Sequence, residues 1–173
     1  MAWDLPLSTP ISIRPFVDAT DRAAMIALYR IAWHAAYDAI DGPDAIDRLI
    51  EALLDGEPPS MFALPPCDVA IVATAGRFGI VGGMRAHPRE GIVHLSGVYV
   101  YPAWFRSGAG SALLANLLGR QRIGAVIQAD VRPTSKAAVA FYRRHGFEMV
   151  GTEHTNVGGD HWVDTLIMQL KLV

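Results

Sequence analysis

The chain has 173 residues, 51% of them hydrophobic and 18% charged, with a formal net charge of -2 and a pI near 6.3. That length and apolar content allow one sizeable core and predict a single domain, and the near-neutral charge offers no basic face for a phosphate backbone, so no nucleic-acid partner is expected. Cys67 is the only cysteine and excludes an internal disulfide. No apolar run approaches the ~18 residues of a membrane span. MAWDLPLSTP lacks the basic start and apolar run of a signal peptide, so a soluble, cytoplasmic protein with no membrane partner is expected.

Ile11 to Val17 reads as a first strand, and Asp18 or Thr20 is placed to cap the helix that follows. Met25, Leu28, Tyr29, Ala32, Trp33 and Ala36 recur at helical spacing and give that helix one apolar face. After Gly42 and Pro43 a second helix carries the stripe Ile46, Leu49, Ile50, Leu53 and Leu54, with Asp44 at its start and Gly56 placed to close it. EPPSMFALPP then reads as a connection inside the domain. From Asp68 the period changes. DVAIVATAGR and GIVGGMRAHP form a strand pair joined near Gly76, and GIVHLSGVYVYP is a third strand after the turn at Arg89-Glu90-Gly91. A helix bearing Leu113, Leu114, Leu117 and Leu118 follows, then a strand at AVIQADVR, a helix from Ser135 to His145, and strands around Met149 to Thr155 and Trp162 to Val173. In the last strand Trp162, Leu166, Met168, Leu170 and Leu172 share one face, which Asp164 interrupts. This order predicts a mixed α/β sheet with helices on both faces.

Ser107-Gly108-Ala109-Gly110 feeds the N-terminus of the leucine-bearing helix. Helix N-termini present unpaired N–H groups and a partial positive charge, and glycine lets a ligand approach the backbone, so the loop has the outline of a phosphate cradle. Glycines before a helix equally serve turn geometry. A dinucleotide fingerprint would need a third glycine where Leu113 stands, and the triphosphate loop's Gly-Lys-Ser/Thr is missing. Gly97 lies inside the preceding strand, with Val93 and Leu95 inward before it and Val98 and Val100 inward after it. That switch of face predicts a β-bulge that could part the strand from its neighbour. PTSKAAVAFYRRHGF is a complete helix: Ser135 to cap it, Ala138, Phe141 and Tyr142 on one face, Arg143 and Arg144 at the C-terminal dipole, Gly146 to end it. The Tyr142 hydroxyl on such a face needs a partner.

On these residues the chain resembles the GNAT superfamily of acyl-coenzyme A dependent N-acyltransferases. The family's signature loop, Gln/Arg-x-x-Gly-x-Gly/Ala, is similar to Phe105-Arg106-Ser107-Gly108-Ala109-Gly110, with Phe105 in place of the Gln or Arg and Arg106 one position later. Its later pattern, Asn-x-x-Ala-x-x-Phe-Tyr-x-x-x-Gly-Phe, resembles the run from Ser135 through Ala138, Phe141 and Tyr142 to Gly146 and Phe147, with Ser135 for Asn. IAWHAAYDAI is similar to the first-helix region of many members. The resemblance implies that residues 1–173 form one N-acetyltransferase domain of α+β type. Its sheet would be mixed and mostly antiparallel, with roughly six to seven strands, helices on both faces and a splay at the strand ending near Val100.

For the chemistry, the resemblance implies acetyl-CoA as co-substrate, no metal, and transfer of acetyl to a primary amine of a small molecule or peptide. It also leaves room for a homodimer. Pyrophosphate would sit on the N–H groups from Arg106 through Ser107, Gly108, Ala109 and Gly110 to Ser111. Pantetheine would lie beside Val98, Tyr99 and Val100, with the Val98 N–H facing the thioester oxygen, and Ser135 and Phe141 would complete the co-substrate site. Tyr142 is the implied acid to the coenzyme A thiolate, since a phenol is protonated at neutral pH. His94 stands where many members carry a Glu base and could take a proton directly or through water, or serve a structural role. His154, His161 and Asp164 are further polar groups that could reach the same pocket, without metal-ligand spacing. Trp33, Tyr37 and Asp38 suit an organic amine through cation–π and charge contact, although Trp33 also fits core packing. Cys67 has no paired histidine and reads as a buried small residue. Phe105, Ser135 and the missing Glu keep a non-catalytic acyl-CoA binding or sensing domain open as the second reading.

Overall fold

The computed structural model describes residues 9–55, 68–157 and 161–173. The elements run β1 (Ser12–Pro15), α1 (Asp18–Asp41), α2 (Pro43–Leu54), β2 (Val69–Thr74), β3 (Ile80–Arg89), β4 (Ile92–Val100), α3 (Ala109–Leu118), β5 (Val126–Val131), α4 (Lys136–Arg144), β6 (Glu148–Asn156) and β7 (Trp162–Lys171). They build a seven-stranded sheet ordered β1-β2-β3-β4-β5-β7-β6. Every neighbouring pair is antiparallel except β4 with β5. The Pro-rich connection EPPSMFALPP, Gly56 and Cys67 lie outside the described residues.

Two apolar clusters hold helices to opposite faces. Leu113, Leu114 and Leu117 of α3 pack with Ile71, Met84 and Ile127 of the sheet in the larger one, and α4 adds Tyr142. On the other face Met25, Leu28 and Tyr29 of α1 meet Val72. The α1 stripe is shorter than its periodicity predicts, because Ala36 is exposed. In β7 the apolar alternation begins only at Leu166. Nearer the hairpin the buried residues are Val163 and Thr165, while Trp162 is 55% exposed and Asp164 shares that open face.

None of the predicted N-cap side chains makes a cap bond. Neither Asp18 nor Thr20 caps α1: Val17 holds the N-cap position, and the Asp21 carboxylate reaches back to accept the Val17 N–H at 2.8 Å. Asp21 also takes two hydrogen bonds from Arg14 at the β1 end, so one buried acid ties strand to helix. Asp18 pairs with Arg22 instead. Likewise Ser135 stands at the N-cap of α4 without a side-chain cap bond. The other end of that helix closes as predicted, through Gly146 at φ 85 and the Phe147 N–H to the Tyr142 carbonyl.

The predicted bulge lies in β4. Arg85 pairs with Gly97 and Ala86 with Leu95, which leaves Ser96 out of the ladder. The extra residue returns Val98 and Val100 to the face of Val93 and Leu95, against the larger cluster. Gly97 has φ 134, and a Cβ there would lie 2.4 Å from Cε2 of the Tyr99 ring, so the position requires glycine on both counts.

Arg14, with the Val17 N–H, holds the Asp21 carboxyl down at about 2. The folded chain therefore keeps this group charged to lower pH than the unfolded chain does, and its contribution is present above about pH 4 and lost as pH falls toward 2. Asp21→Asn is expected to cost about 2 kcal/mol in urea unfolding at pH 7 and to flatten the loss of stability on acidification. A variant with the same acid limb as the parent would refute this account.

Candidate functional site

β4 and β5 are paired from Ile92 with Val126 to Leu95 with Ala129, and no further. β4 nevertheless continues to Val100 on its β3 side, and β5 continues to Val131 on its β7 side. The sheet thus opens into a wedge, and the β4 edge from Ser96 onward is left without a strand partner. Val98, Tyr99 and Val100 lie along this edge, which is the predicted splay.

At the mouth of the wedge the chain turns from β4 into α3. Arg106 has φ 65 and Gly108 φ 91. Gly108 is the N-cap, and the first turn of α3 contains no acidic side chain. The Ala109 N–H is taken by Ser107 Oγ at 3.3 Å. Among the described residues the N–H groups of Arg106, Gly108, Gly110 and Ser111 have no acceptor. Free N–H groups at a positive helix end, without a carboxylate to fill them, fit an anionic diphosphate. Gly110 lets the Phe141 ring come down on the helix: a Cβ there would lie 3.3 Å from Phe141 Cε2. Ser135 Oγ is buried without a hydrogen-bond partner, so a polar atom already inside the fold is free for a ligand. The Phe105 side chain is 61% exposed.

Tyr142 stands on α4, packed edge-on against Phe141 and Phe147. Burial, with Tyr37 and Asp130 nearby, pushes its phenol well above the ordinary value. Its hydroxyl makes no hydrogen bond among the described residues. Tyr37 belongs to α1 and Asp130 to β5, so groups on the other face of the sheet act on this phenol electrostatically across the wedge. Asp130 accepts a hydrogen bond from Gln128 at 3.0 Å, and Gln128 accepts one from Gln169 at 2.8 Å.

The opposite side of the wedge is aromatic. Tyr99 meets Tyr29 edge-on at 4.9 Å and Trp33 at 6.0 Å. Burial pushes the Tyr29 phenol up to about 12 and Tyr99 well above its usual value. Trp33 Nε1 is buried beside the Tyr99 phenol and works against the upward push on that group. Tyr37 lies under the Arg132 guanidinium at 4.8 Å. Arg132 in turn forms a two-pronged, largely buried ion pair with Asp41, and His161 approaches the same carboxylate at 3.6 Å. Asp41 ends α1 and Arg132 follows β5, so this pair locks the helix over the wedge. Its guanidinium holds the Asp41 carboxyl below the usual carboxylate range.

The remaining predicted residues lie farther out. His94 stacks on His87 across β3 and β4 at 5.5 Å. The Tyr99 ring lies back over Gly97, with its hydroxyl 3.5 Å from the Ser96 carbonyl, and so occupies the strand face between His94 and the wedge. Asp164 is on the open face of the β6–β7 hairpin, with its side chain 82% exposed and bonded to His154, which stacks on Trp162. Asp38 bonds His34 one turn away on α1. Of the three outlying polar groups named from the sequence, His161 alone comes to the locked end of α1. Asp130, Arg132 and Asp41 were not singled out. The available signal was a pair of charged residues at the carboxyl end of a buried strand, where ligands of open α/β sheets gather.

A parted, mostly antiparallel sheet with free N–H groups at a helix N-terminus beside the opening fits the fold of the acyl-CoA dependent acyltransferases. The family model described as the acetyltransferase (GNAT) family matches residues 24–147, and the chain belongs to that family. It is therefore an acetyltransferase with acetyl-CoA as co-substrate. Solved structures share the fold. The PaiA N-acetyltransferase from Thermoplasma acidophilum, in complex with coenzyme A, matches with TM-score 0.74 and 20% identity over 95% of this chain and 99% of that one. A phosphinothricin acetyltransferase from Sinorhizobium meliloti, in complex with AcCoA, matches with TM-score 0.61 and 22% identity over 95% and 89%. A ribosomal-protein-alanine N-acetyltransferase from Brucella melitensis matches with TM-score 0.62 and 26% identity over 93% and 99%. No curated protein sequence matches the chain. Among the described residues no group of three or more His, Cys, Asp or Glu is placed to hold a metal, and no helix is long and apolar enough to cross a membrane.

The ion pair that locks α1 sets a test. Arg132→Met leaves the Asp41 carboxylate largely buried without its guanidinium, with His161 at 3.6 Å as the remaining partner, and is expected to cost about 3 kcal/mol in urea unfolding. Adding Asp41→Asn should recover part of that loss, because the two changes act on one interaction. Strictly additive losses would contradict the coupling.

Proposed function

We propose that the chain acetylates a primary amine of a small molecule or peptide by direct attack on acetyl-CoA, with Tyr142 as the acid. The observation that carries this reading is the place of Tyr142: buried, with a free hydroxyl, at the wedge between the unpartnered edge of β4 and the Asp130 end of β5.

Acetyl-CoA supplies an activated thioester. The free N–H groups from Arg106 to Ser111 hold its pyrophosphate, with the Arg106 side chain adding charge. Ser135, Phe141 and the main chain of Val98, Tyr99 and Val100 line the path of the pantetheine arm. Tyr142 keeps its proton at neutral pH because burial and two nearby polar groups disfavour the phenolate, and it delivers that proton to the sulfur as negative charge gathers there. Asp130 faces the acid and draws the ammonium form of the acceptor into the wedge. Trp33, Tyr37 and Tyr99 present aromatic faces to that cation. His94 accepts, through bridging water because the Tyr99 ring stands between it and the wedge, the proton that the ammonium must lose before its nitrogen can attack, and the second N–H proton shed as the tetrahedral intermediate collapses restores the Tyr142 phenol. The fold neighbours are named for phosphinothricin in one case and for a ribosomal-protein alanine in another, which supports keeping both a small molecule and a peptide as acceptor classes.

Tyr142→Phe keeps the ring and removes the proton. It is expected to lower kcat about 100-fold while the Kd for acetyl-CoA, read by calorimetry, stays within about twofold. With the phenol pushed up, the parent rate should hold its alkaline limb beyond about pH 10. Unchanged turnover in the Phe variant removes the acid role. Acetyl-CoA binding without thiol release against a panel of small amines and N-terminal peptides favours the sensing domain instead.

A further inference from the structure

His145 has no part in the chemistry described above, yet it touches the co-substrate site. It follows α4 and anchors its N–H on the Phe141 and Tyr142 carbonyls. Its ring lies 4.7 Å from the Phe141 ring, which covers Gly110. Its Nε2 lies 3.0 Å from the Ser111 hydroxyl oxygen. Ser111 is the third residue of α3, and its N–H and that of Gly110 are among the free donors of the first turn.

A serine hydroxyl has one hydrogen to give. When His145 Nε2 is bare, the imidazole accepts that hydrogen and the hydroxyl offers only lone pairs to the space before the helix. When Nε2 carries a proton, the ring donates to Ser111 and the hydroxyl hydrogen is free to turn toward an anion. We propose that His145 and Ser111 form a proton-set donor switch in the pyrophosphate site: coenzyme A binding draws a proton onto His145, which turns the Ser111 hydroxyl into a donor to the pyrophosphate and places a positive charge behind it. The proposal rests on the reading of the α3 N-terminus as the co-substrate site.

The surroundings favour a response of this kind. Burial and Arg144 hold the His145 imidazole below its ordinary value in the free chain. Arg143 and Arg144 are the charged groups of its own helix end, the first turn of α3 adds no acid, and β7 approaches the turn at Gly146 through the apolar Leu170. No carboxylate from these elements keeps the ring charged, so the arriving pyrophosphate supplies the missing negative charge and raises the imidazole pKa. The sign follows: affinity is flat where both states are neutral, rises as pH falls through the titration of the bound form, and levels off below that of the free form.

Calorimetry of coenzyme A with the whole chain between pH 5.5 and 8.5, in buffers of different ionisation heat, tests the switch. The 3′-phosphate of coenzyme A titrates near pH 6 on its own, so the quantity read is the difference in slope between the parent and His145→Gln, whose amide donates to Ser111 at every pH. The parent should bind about tenfold tighter at the acid end, for one pKa unit of coupling, with net proton uptake. His145→Gln should lose that increment, and Ser111→Ala should lose the part of it that the hydroxyl carries. Nitrogen-15 imidazole spectra of the parent should show the His145 pKa rising when coenzyme A is added. Equal slopes in parent and His145→Gln, or an unmoved His145 pKa, overturn the proposal and leave the co-substrate site standing. No coenzyme A binding at any pH overturns both.

Discussion

β4 and β5 share hydrogen bonds for four register positions and then part, and the rest of the molecule is arranged around that parting. Backbone groups along a strand edge must find acceptors and donors, so an open edge inside a sheet is a cost that persists only where something else is meant to fill it. The bulge at Ser96 makes the opening possible. It adds a residue on the β3 side of β4, increases the local twist, and swings Val98, Tyr99 and Val100 away from β5 while their apolar neighbours stay on the core. Tyr99 then folds its ring over Gly97 and fills the face that the twist exposes. The anion-ready turn at Gly108 lies where it does because β4 delivers the chain to the mouth of the same opening.

Once the wedge exists, its walls must be stabilised without closing it. The two faces solve this differently. On the α3 and α4 side the wall is apolar packing, with Phe141 seated on Gly110 and Leu113 and Leu114 beneath. On the α1 side it is an ion pair, Arg132 with Asp41, which spans 91 positions of the chain and pins the end of a long helix to the end of a short strand. An ion pair suits that place because the residues around it have to leave room for a substrate, and close apolar packing would fill the room. The guanidinium also fixes the Tyr37 ring from above.

Much of this was legible in the sequence where the signal is local. The break in the two-residue period at Gly97 announced the bulge, and the run from Ser135 to Phe147 announced a helix with its stop, because strand alternation and helix termination are decided by neighbours a few positions apart. Caps were read less well. Asp18 and Thr20 look like N-caps, but Asp21 takes the Val17 N–H because Arg14, on another element, holds its carboxylate in place beside that group. The β7 face was misread near Trp162 because the sheet there has solvent where the alternation implied a core, a matter of what packs on the strand and not of the strand itself. Asp130, Arg132 and Asp41 were invisible for the same reason: charged residues at element ends are ordinary in sequence, and only the fold brings these three beside Tyr37 and Tyr142.

Tyr142 is the one proposed catalytic group that belongs to both halves of the site. Its helix is packed on the co-substrate side, and the groups that act on its hydroxyl, Tyr37 and Asp130, come from the acceptor side. It can connect them only because no β4–β5 hydrogen bonds cross the sheet at that level. A phenol buried in a closed sheet would have to bond a carbonyl and would be fixed by it, whereas in the wedge it stays unpaired and protonated. The same geometry explains why the neighbouring tyrosines need not interfere. Tyr29 and Tyr99 are also pushed up by burial, so near neutral pH these two phenols remain uncharged, and in the proposed reaction a cationic amine would meet neutral aromatic faces. The opening in the sheet thus sets both where the Tyr142 phenol sits and the protonated state that burial favours for it.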